Sequence, residues 1–165
     1  MRFVVGCDFG EFKRYYNKTV GNLGSAEEYW VAKDVSHLIV WRENNEIAGH
    51  AIWHESNTDE HKKGDPRDKE DKEMLKSLLG EKSNFVELHE VWLAKKHRGR
   101  GHGKKFFKFF EEFVRTTDHD AIIYYAYHPA AIAICRQRGY EEAYGLEAKG
   151  LEGKLETMYI FYLKL

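Results

Sequence analysis

The segment from residue 84 to residue 139 restricts the fold of this chain more than any other part of the sequence. A strand-like run, a glycine-rich turn, an amphipathic helix, an apolar strand and a second helix follow in close succession, at 84–94, 97–103, 104–117, 120–127 and 129–139. Two strands that are joined through a helix in this way are parallel neighbours, and the crossover between them is right-handed. The sequence therefore predicts one parallel βαβ unit.

The segments on either side of this unit predict antiparallel pairing. Two β-rich runs, 37–42 and 46–54, flank Asn44-Asn45 and indicate a hairpin. Ser25 and Glu28 match a capping box at the start of a helix. Further strands and helices are expected at 3–7, 10–20, 26–33, 143–148 and 157–164. The predicted fold class is therefore α+β, with a central mixed, mostly antiparallel sheet that contains the parallel crossover.

The chain length predicts a single domain over residues 1–165, because domains have roughly 100–200 residues. An apolar fraction of 42% provides enough surface for a core and excludes intrinsic disorder. The most polar part, about residues 57–80, is expected to be an insertion between two strands. It consists of a loop and a helix over 68–79, with Pro66 near the first turn of that helix.

The formal net charge of −1 argues against a general affinity for nucleic acid or for an anionic membrane. No apolar stretch approaches the roughly 20 residues of a membrane span. Cys7 and Cys135 are too few for a disulfide framework, so a cytoplasmic protein is expected. The charge is nevertheless uneven, since residues 95–108 contain seven Lys or Arg and no acid. This basic stretch includes the glycine-rich turn.

Gly99, Gly101 and Gly103 stand between a strand and a helix, where glycine allows a tight turn with inward N–H groups. The helix start adds partial positive charge, which favours a phosphate. A Walker A loop does not fit, because Lys105 stands where that motif needs Ser or Thr. A dinucleotide fingerprint fails on glycine spacing. The pattern that remains is Arg-x-x-Gly-x-Gly, which begins at Arg98.

In this pattern and its setting, the chain resembles the GNAT superfamily of acetyl-CoA-dependent N-acetyltransferases. Residues 90–93 are similar to the fourth strand of the family, and residues 97–103 are similar to its pyrophosphate loop. Residues 129–140 are similar to its second cofactor helix and the glycine-aromatic step that follows. The resemblance implies a GNAT-like three-layer α/β/α architecture around the mixed sheet.

The resemblance also implies acetyl-CoA as co-substrate and no metal. In the family, the fourth and fifth strands splay apart and the pantetheine arm lies between them. Backbone groups of Val91, Trp92 and Leu93 are therefore expected to bind this arm. The pyrophosphate is expected on the loop formed by Arg98, Gly99, Arg100, Gly101, His102, Gly103 and Lys104.

The implied reaction is direct attack of a primary amine on the acetyl thioester. An alkylamine has a pKa of about 10.4, so a base must remove a proton at neutral pH. Glu87 and Glu90 stand at positions where family members carry glutamates, and strict alternation places them on opposite faces of the strand. The choice between them stays open, as does a solvated or paired state for both. His89 shares the face of Glu87 and is a further candidate or a neighbour.

Two positions depart from the family's pattern. Cys135 stands where the family often has the tyrosine that protonates the departing CoA thiolate. It is either that acid or a small buried thiol, and a thiolate whose pKa is about 8.5 also leaves without an acid. His128 replaces an asparagine that usually contacts the cofactor or its neighbourhood. It is expected either to make this contact or to cap the helix that follows.

The leading prediction is an acyltransferase that acetylates an amine, with a small molecule or a peptide as the acceptor. One alternative is a GNAT-like domain that binds CoA without catalysis, which the missing tyrosine suggests. Another is a nucleic-acid-binding module that uses the basic stretch 95–108, although the strand and helix around that stretch commit it to a turn. No membrane partner is expected, nucleic acid is disfavoured, and a homodimer stays open.

Overall fold

The computed structural model describes residues 1–61, 68–149 and 153–165. Within these residues the helices are α1 Phe9–Thr19, α2 Ser25–Lys33, α3 Asp68–Leu79, α4 His102–Val114 and α5 Pro129–Gln137. The strands are β1 Arg2–Val5, β2 Leu38–Glu43, β3 Glu46–Asn57, β4 Asn84–Leu93, β5 Ala121–Ala126, β6 Glu141–Lys149 and β7 Leu155–Lys164. None of the described helices is long and apolar enough to cross a bilayer.

The strands form a seven-stranded sheet in the order β1-β2-β3-β4-β5-β7-β6. β4 and β5 are parallel and are joined through α4, whereas the other neighbours are antiparallel. The order confirms the α+β class and the single parallel crossover that the segment 84–139 predicted.

The hairpin between β2 and β3 also forms as predicted. Asn44 and Asn45 have φ angles of 51° and 66°, which is the left-handed pair that a two-residue hairpin turn needs. Glu43 pairs with Glu46 across the turn. Pairing continues along both strands with one irregularity between Trp41 and Arg42.

The predicted capping box at α2 is wrong. The N-cap of this helix is Gly24, in an extended conformation, and Ser25 is already the first helical residue. No side chain caps the helix, and Glu27 and Glu28 in its first turn supply negative charge to the helix dipole instead. Pro66, which was predicted near the start of α3, lies outside the described residues.

Contacts within the chain define two compact units, of which the first consists of residues 1–54 and 88–109. One core cluster of this unit joins α1 and α2 to β2 and β3. Its buried members are Phe12, Tyr16, Val31, Leu38, Val40 and Ile52. A second contact region joins α4 to the sheet, because Phe106 stacks on Trp41 with 4.7 Å between ring centroids. Phe106 therefore belongs to the apolar face of the amphipathic helix that was predicted after the glycine-rich turn.

The second unit consists of residues 55–87 and 110–165. The helix of the polar insertion, α3, belongs to its core and packs through Leu75, Met74, Leu78 and Leu79. The other buried members of this cluster are Phe85, Ala121, Ile123, Ile160 and Tyr162. The insertion predicted at about 57–80 therefore carries structural as well as solvated residues, while the single domain over 1–165 stays a prediction.

Candidate active site

The turn between β4 and α4 has the backbone geometry of an anion cradle. Gly99 and Gly101 have φ angles of 74° and 76°. A Cβ at either position would meet nothing within 4 Å, so the conformation rather than the space requires glycine there. The N–H of Lys105 donates to the Gly101 carbonyl at 3.3 Å. The N–H groups at 102–104 thus lie in the first turn of α4, where a helix offers donors to an anion.

Positive side chains surround this turn. Arg98 is fixed in place, because its Nε donates to the Leu93 carbonyl at 2.7 Å and its guanidinium lies 5.8 Å from the centroid of the Trp92 ring. Arg100 and Lys104 are exposed. One cation therefore ties the loop to the end of β4, while two others lie on the surface around the helix start.

His102 begins α4 and adds a titratable group to the turn. Burial lowers the pKa of His102, and the charges of the chain's N-terminus and of Lys105 act in the same direction. The ring is therefore neutral at pH 7. Gly103 follows in the helix, so the expectation that all three glycines shape the turn is corrected to Gly99 and Gly101. Gly103 can therefore contribute a backbone N–H of the first helical turn, but it does not shape the turn before the helix.

The end of β4, at residues 91–93, is held tightly by β3. Gly49 of β3 makes this approach possible, because a Cβ there would lie 2.6 Å from the Trp92 carbonyl oxygen and 3.0 Å from Leu93 Cδ1. The carbonyl of Leu93 already accepts the hydrogen bond from Arg98. The backbone predicted to bind the pantetheine arm is thus fixed from two sides before any ligand binds.

Glu90 lies in a buried polar cluster with His50 of β3 and two tyrosines of α1. Its Oε1 is 2.5 Å from His50 Nε2, and its Oε2 accepts a hydrogen bond from the Tyr16 hydroxyl at 3.2 Å. The Tyr15 hydroxyl lies 3.3 Å from His50 Nδ1. His50 is fully buried, and Glu90 is 7% exposed. Both oxygens of this carboxylate are occupied, and Tyr15, His50 and Glu90 form a continuous hydrogen-bonded chain.

His89 and Glu90 are consecutive, yet both contact helices that pack on the same core cluster. His89 Nε2 is 2.8 Å from Glu27 Oε1 on α2, whereas Glu90 binds Tyr16 on α1. The hydrogen bond from His89 lowers the pKa of Glu27. Both helices belong to the same core cluster of the first unit. Side chains therefore do not alternate strictly at 89–90, which removes the basis for placing Glu87 and Glu90 on opposite faces.

Glu87 belongs to the second unit and is 2% exposed. Its Oε2 lies 3.5 Å from Nδ1 of the buried His61. His61 Nε2 is 2.9 Å from the Tyr125 hydroxyl, which donates to Asp71 Oδ2 at 3.4 Å. The carboxylate of Glu87 is therefore buried and paired, not solvated. His61, which faces Glu87, and Asp71, which accepts from Tyr125, both come from the polar insertion.

Cys135 is fully buried, and burial raises the pKa of its thiol to about 12, with a further contribution from the charge of Glu111. Such a thiol is a weaker acid than a thiol of ordinary pKa near 8.5, so it gives a proton to a thiolate unfavourably. Burial raises the pKa of the Tyr140 phenol as well. Arg138 donates two hydrogen bonds of 2.6 Å to Glu111. The surroundings of Cys135 thus favour the buried thiol over the acid.

His128 caps α5. It is the N-cap residue, its Nδ1 accepts a hydrogen bond from the Ala130 N–H at 3.3 Å, and Pro129 follows at the first helical position. The structural role that the sequence offered for His128 is therefore present. A contact with the cofactor stays a prediction.

His50 and His61 are the site residues that the sequence did not reveal. Their partners lie 40 and 64 positions away along the chain, in Glu90 and Tyr125. A weak signal exists for His50, since it interrupts an apolar β3 run at the position before Ala51 and Ile52. A lone histidine in a strand is indistinguishable from an ordinary core residue until its partners are known.

Comparison with protein families gives a match over most of the chain. Residues 8–140 match the model of the acetyltransferase (GNAT) family. No curated protein sequence matches the chain.

Solved structures match the whole fold at low sequence identity. A polyamine N-acetyltransferase from Drosophila melanogaster is 12% identical, with a TM-score of 0.71 and coverage of 99% of this chain and 100% of that one. The Salmonella typhimurium protein yncA, solved with its cofactor acetyl-CoA, is 16% identical, with a TM-score of 0.65 and coverage of 100% and 94%. The NatC complex bound to Gag peptide and CoA is 13% identical, with a TM-score of 0.68 and coverage of 100% and 99%. At these identities the match establishes the GNAT fold.

Proposed function

The chain belongs to the acetyltransferase (GNAT) family and is an acyltransferase, and from this premise we propose that it transfers the acetyl group of acetyl-CoA to a primary amine by direct attack in a ternary complex. Acetyl-CoA supplies the activated acetyl group. The residues of the chain bind it, orient it and move the protons. The acceptor is the amine of a small molecule or of a peptide.

The observation that supports this proposal most strongly is the turn between β4 and α4. Gly99 and Gly101 have positive φ angles in this turn, and the first N–H groups of α4 follow directly. These features fit a pyrophosphate, because backbone donors and the helix dipole both favour an anion at that point. The exposed Arg100 and Lys104 add attraction. Residues 98–104 are therefore our proposed pyrophosphate site, and the backbone at 91–93 our proposed pantetheine site.

The acceptor amine must become neutral before it attacks, and two carboxylate–histidine pairs are available for its proton. These pairs are Glu90 with His50 and Glu87 with His61. A carboxylate beside an imidazole stabilises the protonated ring, which makes such a pair a suitable proton acceptor near neutral pH. Glu87 and Glu90 therefore both stay candidates, each with the histidine of its own unit.

The departing CoA leaves with a proton that the attacking nitrogen releases. Once the amine nitrogen has bonded to the acetyl carbon, it carries a proton that the amide must lose, and the sulfur can take it. This route needs no separate acid, since a thiolate of pKa near 8.5 is already a tolerable leaving group. Cys135, with a pKa of about 12, is accordingly given no proton-donating step.

The proposal also includes the cellular compartment of the protein. Cys7 and Cys135 are both free thiols, which supports a reducing compartment such as the cytoplasm. The contact of His128 with CoA, the absence of a metal and a homodimer all stay predictions.

Calorimetry with CoA and with acetyl-CoA tests the cofactor site. Gly101→Ala should weaken CoA binding by about tenfold or more, because φ > 0 is strained for alanine by roughly 1–3 kcal/mol and the turn must relax. Gly80→Ala is the matched control. Gly80 has a φ of 90° with nothing within 4 Å of a Cβ, but it follows α3. Equal CoA affinity in the two variants would contradict the proposed pyrophosphate site.

A second pair of variants separates the anchored cation from general charge. Arg98→Ala removes the hydrogen bond to the Leu93 carbonyl and should weaken CoA binding. Lys95→Ala removes an equally exposed cation from the turn just before it and should leave binding within about twofold, as expected of a solvated surface charge.

Acetyl transfer itself is measured as CoA release over a panel of agmatine, spermidine, tyramine and an alanine-initiated peptide. Release of CoA that depends on an amine, with the acetylated amine detected by mass spectrometry, is the expected result. Tight CoA binding without transfer to any of the four would support the non-catalytic CoA-binding alternative. A salt-sensitive complex with single-stranded RNA and no CoA binding would support the nucleic-acid alternative.

A further inference from the structure

We propose that His50 is the general base of the acetyl transfer and that Tyr15 passes the proton of the acceptor amine to it, while Glu90 positions His50 and is not itself the base. This inference rests on the proposed function and chooses between its two carboxylate–histidine pairs. It assigns a role to a histidine of β3 and to a tyrosine of α1.

The direction of each hydrogen bond follows from the contacts of His50. An ionised carboxylate only accepts, so the Nε2 that faces Glu90 Oε1 carries a hydrogen. The neutral ring then has an unprotonated Nδ1, which accepts the hydrogen bond from the Tyr15 hydroxyl at 3.3 Å. Glu90 thus fixes the tautomer of His50 in which the basic nitrogen faces Tyr15. The same arrangement of acid, histidine and hydroxyl activates nucleophiles in other enzymes.

Glu90 is poorly suited to be the base. Its Oε1 is occupied by His50 and its Oε2 by the Tyr16 hydroxyl at 3.2 Å. His50 and Tyr16 are 0% and 4% exposed, and Glu90 is 7% exposed. A proton that reached Glu90 would disturb these hydrogen bonds in a buried environment, which is costly. The contacts of the carboxylate therefore suit a residue that holds His50 in position.

Tyr15 is the residue through which a proton can enter or leave the buried cluster. Tyr16, His50 and Glu90 are buried, whereas Tyr15 is half-buried. Burial raises the pKa of the Tyr15 phenol above its usual range. The phenol therefore stays protonated at neutral pH, and it can give its proton to His50 only while it receives one from another donor. That is the behaviour of a relay rather than of a base.

The groups that face His50 are consistent with a base in a dry site. The titratable ones are Tyr15 and Tyr16 from α1 and Glu90 from β4. From β2, the residue opposite His50 is the apolar Val40. The Trp92 ring stacks on the imidazole at 6.2 Å between centroids, and Arg98 contacts that indole. Among these contacts the carboxylate of Glu90 touches the ring directly.

The second carboxylate–histidine pair has its hydrogen bonds in the opposite direction. His61 Nε2 faces the Tyr125 hydroxyl, but that hydroxyl already donates its hydrogen to Asp71. These hydrogen bonds therefore run from the ring toward the carboxylate of Asp71, which is 3% exposed. An amine proton would have to enter against this direction. Tyr15, by contrast, donates toward His50.

The proposed reaction conserves protons and bonds at each step. The ammonium form of the amine gives a proton to the Tyr15 oxygen as the Tyr15 hydrogen moves to His50 Nδ1. The neutral nitrogen bonds to the acetyl carbon, the carbon–sulfur bond breaks, and the sulfur leaves with the second proton of the nitrogen. The protonated His50 then returns its proton to solvent through Tyr15. One ammonium and acetyl-CoA thus give one amide, free CoA and one proton.

The pH dependence of kcat distinguishes His50 from Glu90 as the base. A base acts when it is unprotonated, so kcat of the unaltered protein should rise with pH to a plateau. His50→Gln should lower the plateau by about 10²–10⁴-fold and abolish the rising limb. Glu90→Gln should lower the plateau and keep the rising limb, because His50 is still present to accept the proton. Tyr15→Phe should lower kcat with little change in KM for acetyl-CoA.

Two matched control variants separate a loss of catalysis from a loss of stability. His37→Gln removes another buried histidine, whose Nδ1 lies 2.9 Å from the Trp30 carbonyl oxygen. Tyr162→Phe removes a hydroxyl that donates to Glu141 at 2.7 Å. Both should cost stability and leave the pH limb in place. If the limb survives in His50→Gln and vanishes in Glu90→Gln, Glu90 is the base and the proposal is overturned.

Nitrogen-15 NMR of the unaltered protein provides a test that needs no turnover. The ring of His50 should carry its hydrogen on Nε2 at neutral pH, and the signals of Nδ1 should change in Tyr15→Phe. A hydrogen on Nδ1 would overturn the relay while leaving the proposed acetyl transfer intact. Failure of the whole amine panel would overturn the proposed function, whatever tautomer His50 adopts.

Discussion

A methyl group at Gly49 would meet the backbone of β4 directly. In Gly49→Ala, the new Cβ would lie 2.6 Å from the Trp92 carbonyl oxygen and 3.2 Å from Leu93 Cα. Non-bonded heavy atoms are optimally about 3.5–4.0 Å apart, so β3 and β4 must separate locally by roughly 1 Å. The atoms in the way are mostly backbone, which cannot swing aside as the end of a long side chain can.

The separation of β3 and β4 should cost as much stability as other overpacked sites do. Overpacked sites lose about 1–3 kcal/mol of unfolding free energy, and a chain of this size loses roughly 2–4 °C in Tm per kcal/mol. Thermal unfolding should therefore begin at a lower temperature, by roughly 2–12 °C. Because the displaced groups belong to the proposed pantetheine site, kcat/KM for acetyl-CoA should fall by about 10–100-fold.

Gly10→Ala is the control for this experiment. Gly10 lies in α1, and a Cβ there would meet the Arg14 and Asp8 side-chain ends at 3.3 Å. Alanine is the better helix former by about 0.8–1.0 kcal/mol, so this variant should be as stable as the parent or more stable. Calorimetric melting and steady-state kinetics of both variants provide the test. A Gly49→Ala protein with unchanged Tm and unchanged kcat/KM would refute the argument.

Three further predictions follow from buried groups. Cys135→Ala should keep kcat within about twofold, and a loss above tenfold would restore the thiol as the acid. CoA affinity should rise as pH falls from about 7 to 5, because the His102 ring, which is neutral at pH 7 through its lowered pKa, gains charge beside the proposed pyrophosphate site. Titration calorimetry of His102→Gln should show no such trend. Arg138→Ala should cost about 1–3 kcal/mol in chemical denaturation, since it removes two hydrogen bonds from Glu111, which is 6% exposed, whereas the exposed Arg136→Ala should cost under about 1 kcal/mol.

The His102 prediction also has a consequence for stability. A folded-state pKa below the unfolded value means that the unfolded chain binds the proton first as pH falls. The contribution of His102 to stability is therefore complete at pH values above the unfolded pKa of about 6.5 and declines below it. The pH dependence of unfolding in His102→Gln should be correspondingly weaker. An unchanged slope between the two proteins would contradict the depressed pKa.

Local chemistry allowed much of the fold to be predicted. Asn44-Asn45 predicts its own turn, because both residues tolerate the left-handed conformation that the hairpin needs. The pattern of strand, glycine-rich turn and helix after residue 84 likewise depends on neighbours in the chain. The helix start at 25 was misplaced by one residue. Ser25 and Gly24 can both serve as N-cap, and a motif alone does not choose between them.

The candidate site was less predictable because its chemistry depends on distant pairs. Glu90 was a candidate from its strand, but its hydrogen-bond partner His50 lies 40 positions earlier. Tertiary contacts also decide the environment of Cys135, whose pKa follows from complete burial. Strict alternation along β4 was a fair expectation, and the contacts of His89 and Glu90 show that it does not hold there.

The contact between β1 and α4 bears on the order in which the protein folds during synthesis. Phe3 meets the ring of Phe106 with 5.6 Å between centroids, although about a hundred residues separate them along the chain. Closing so long a loop costs entropy before the contact repays it. The hairpin of β2 and β3 needs only neighbours, so it can form early on the ribosome. Residues 2–5 complete their packing only after α4 has emerged, so β1 reaches its final contacts long after it has been synthesised.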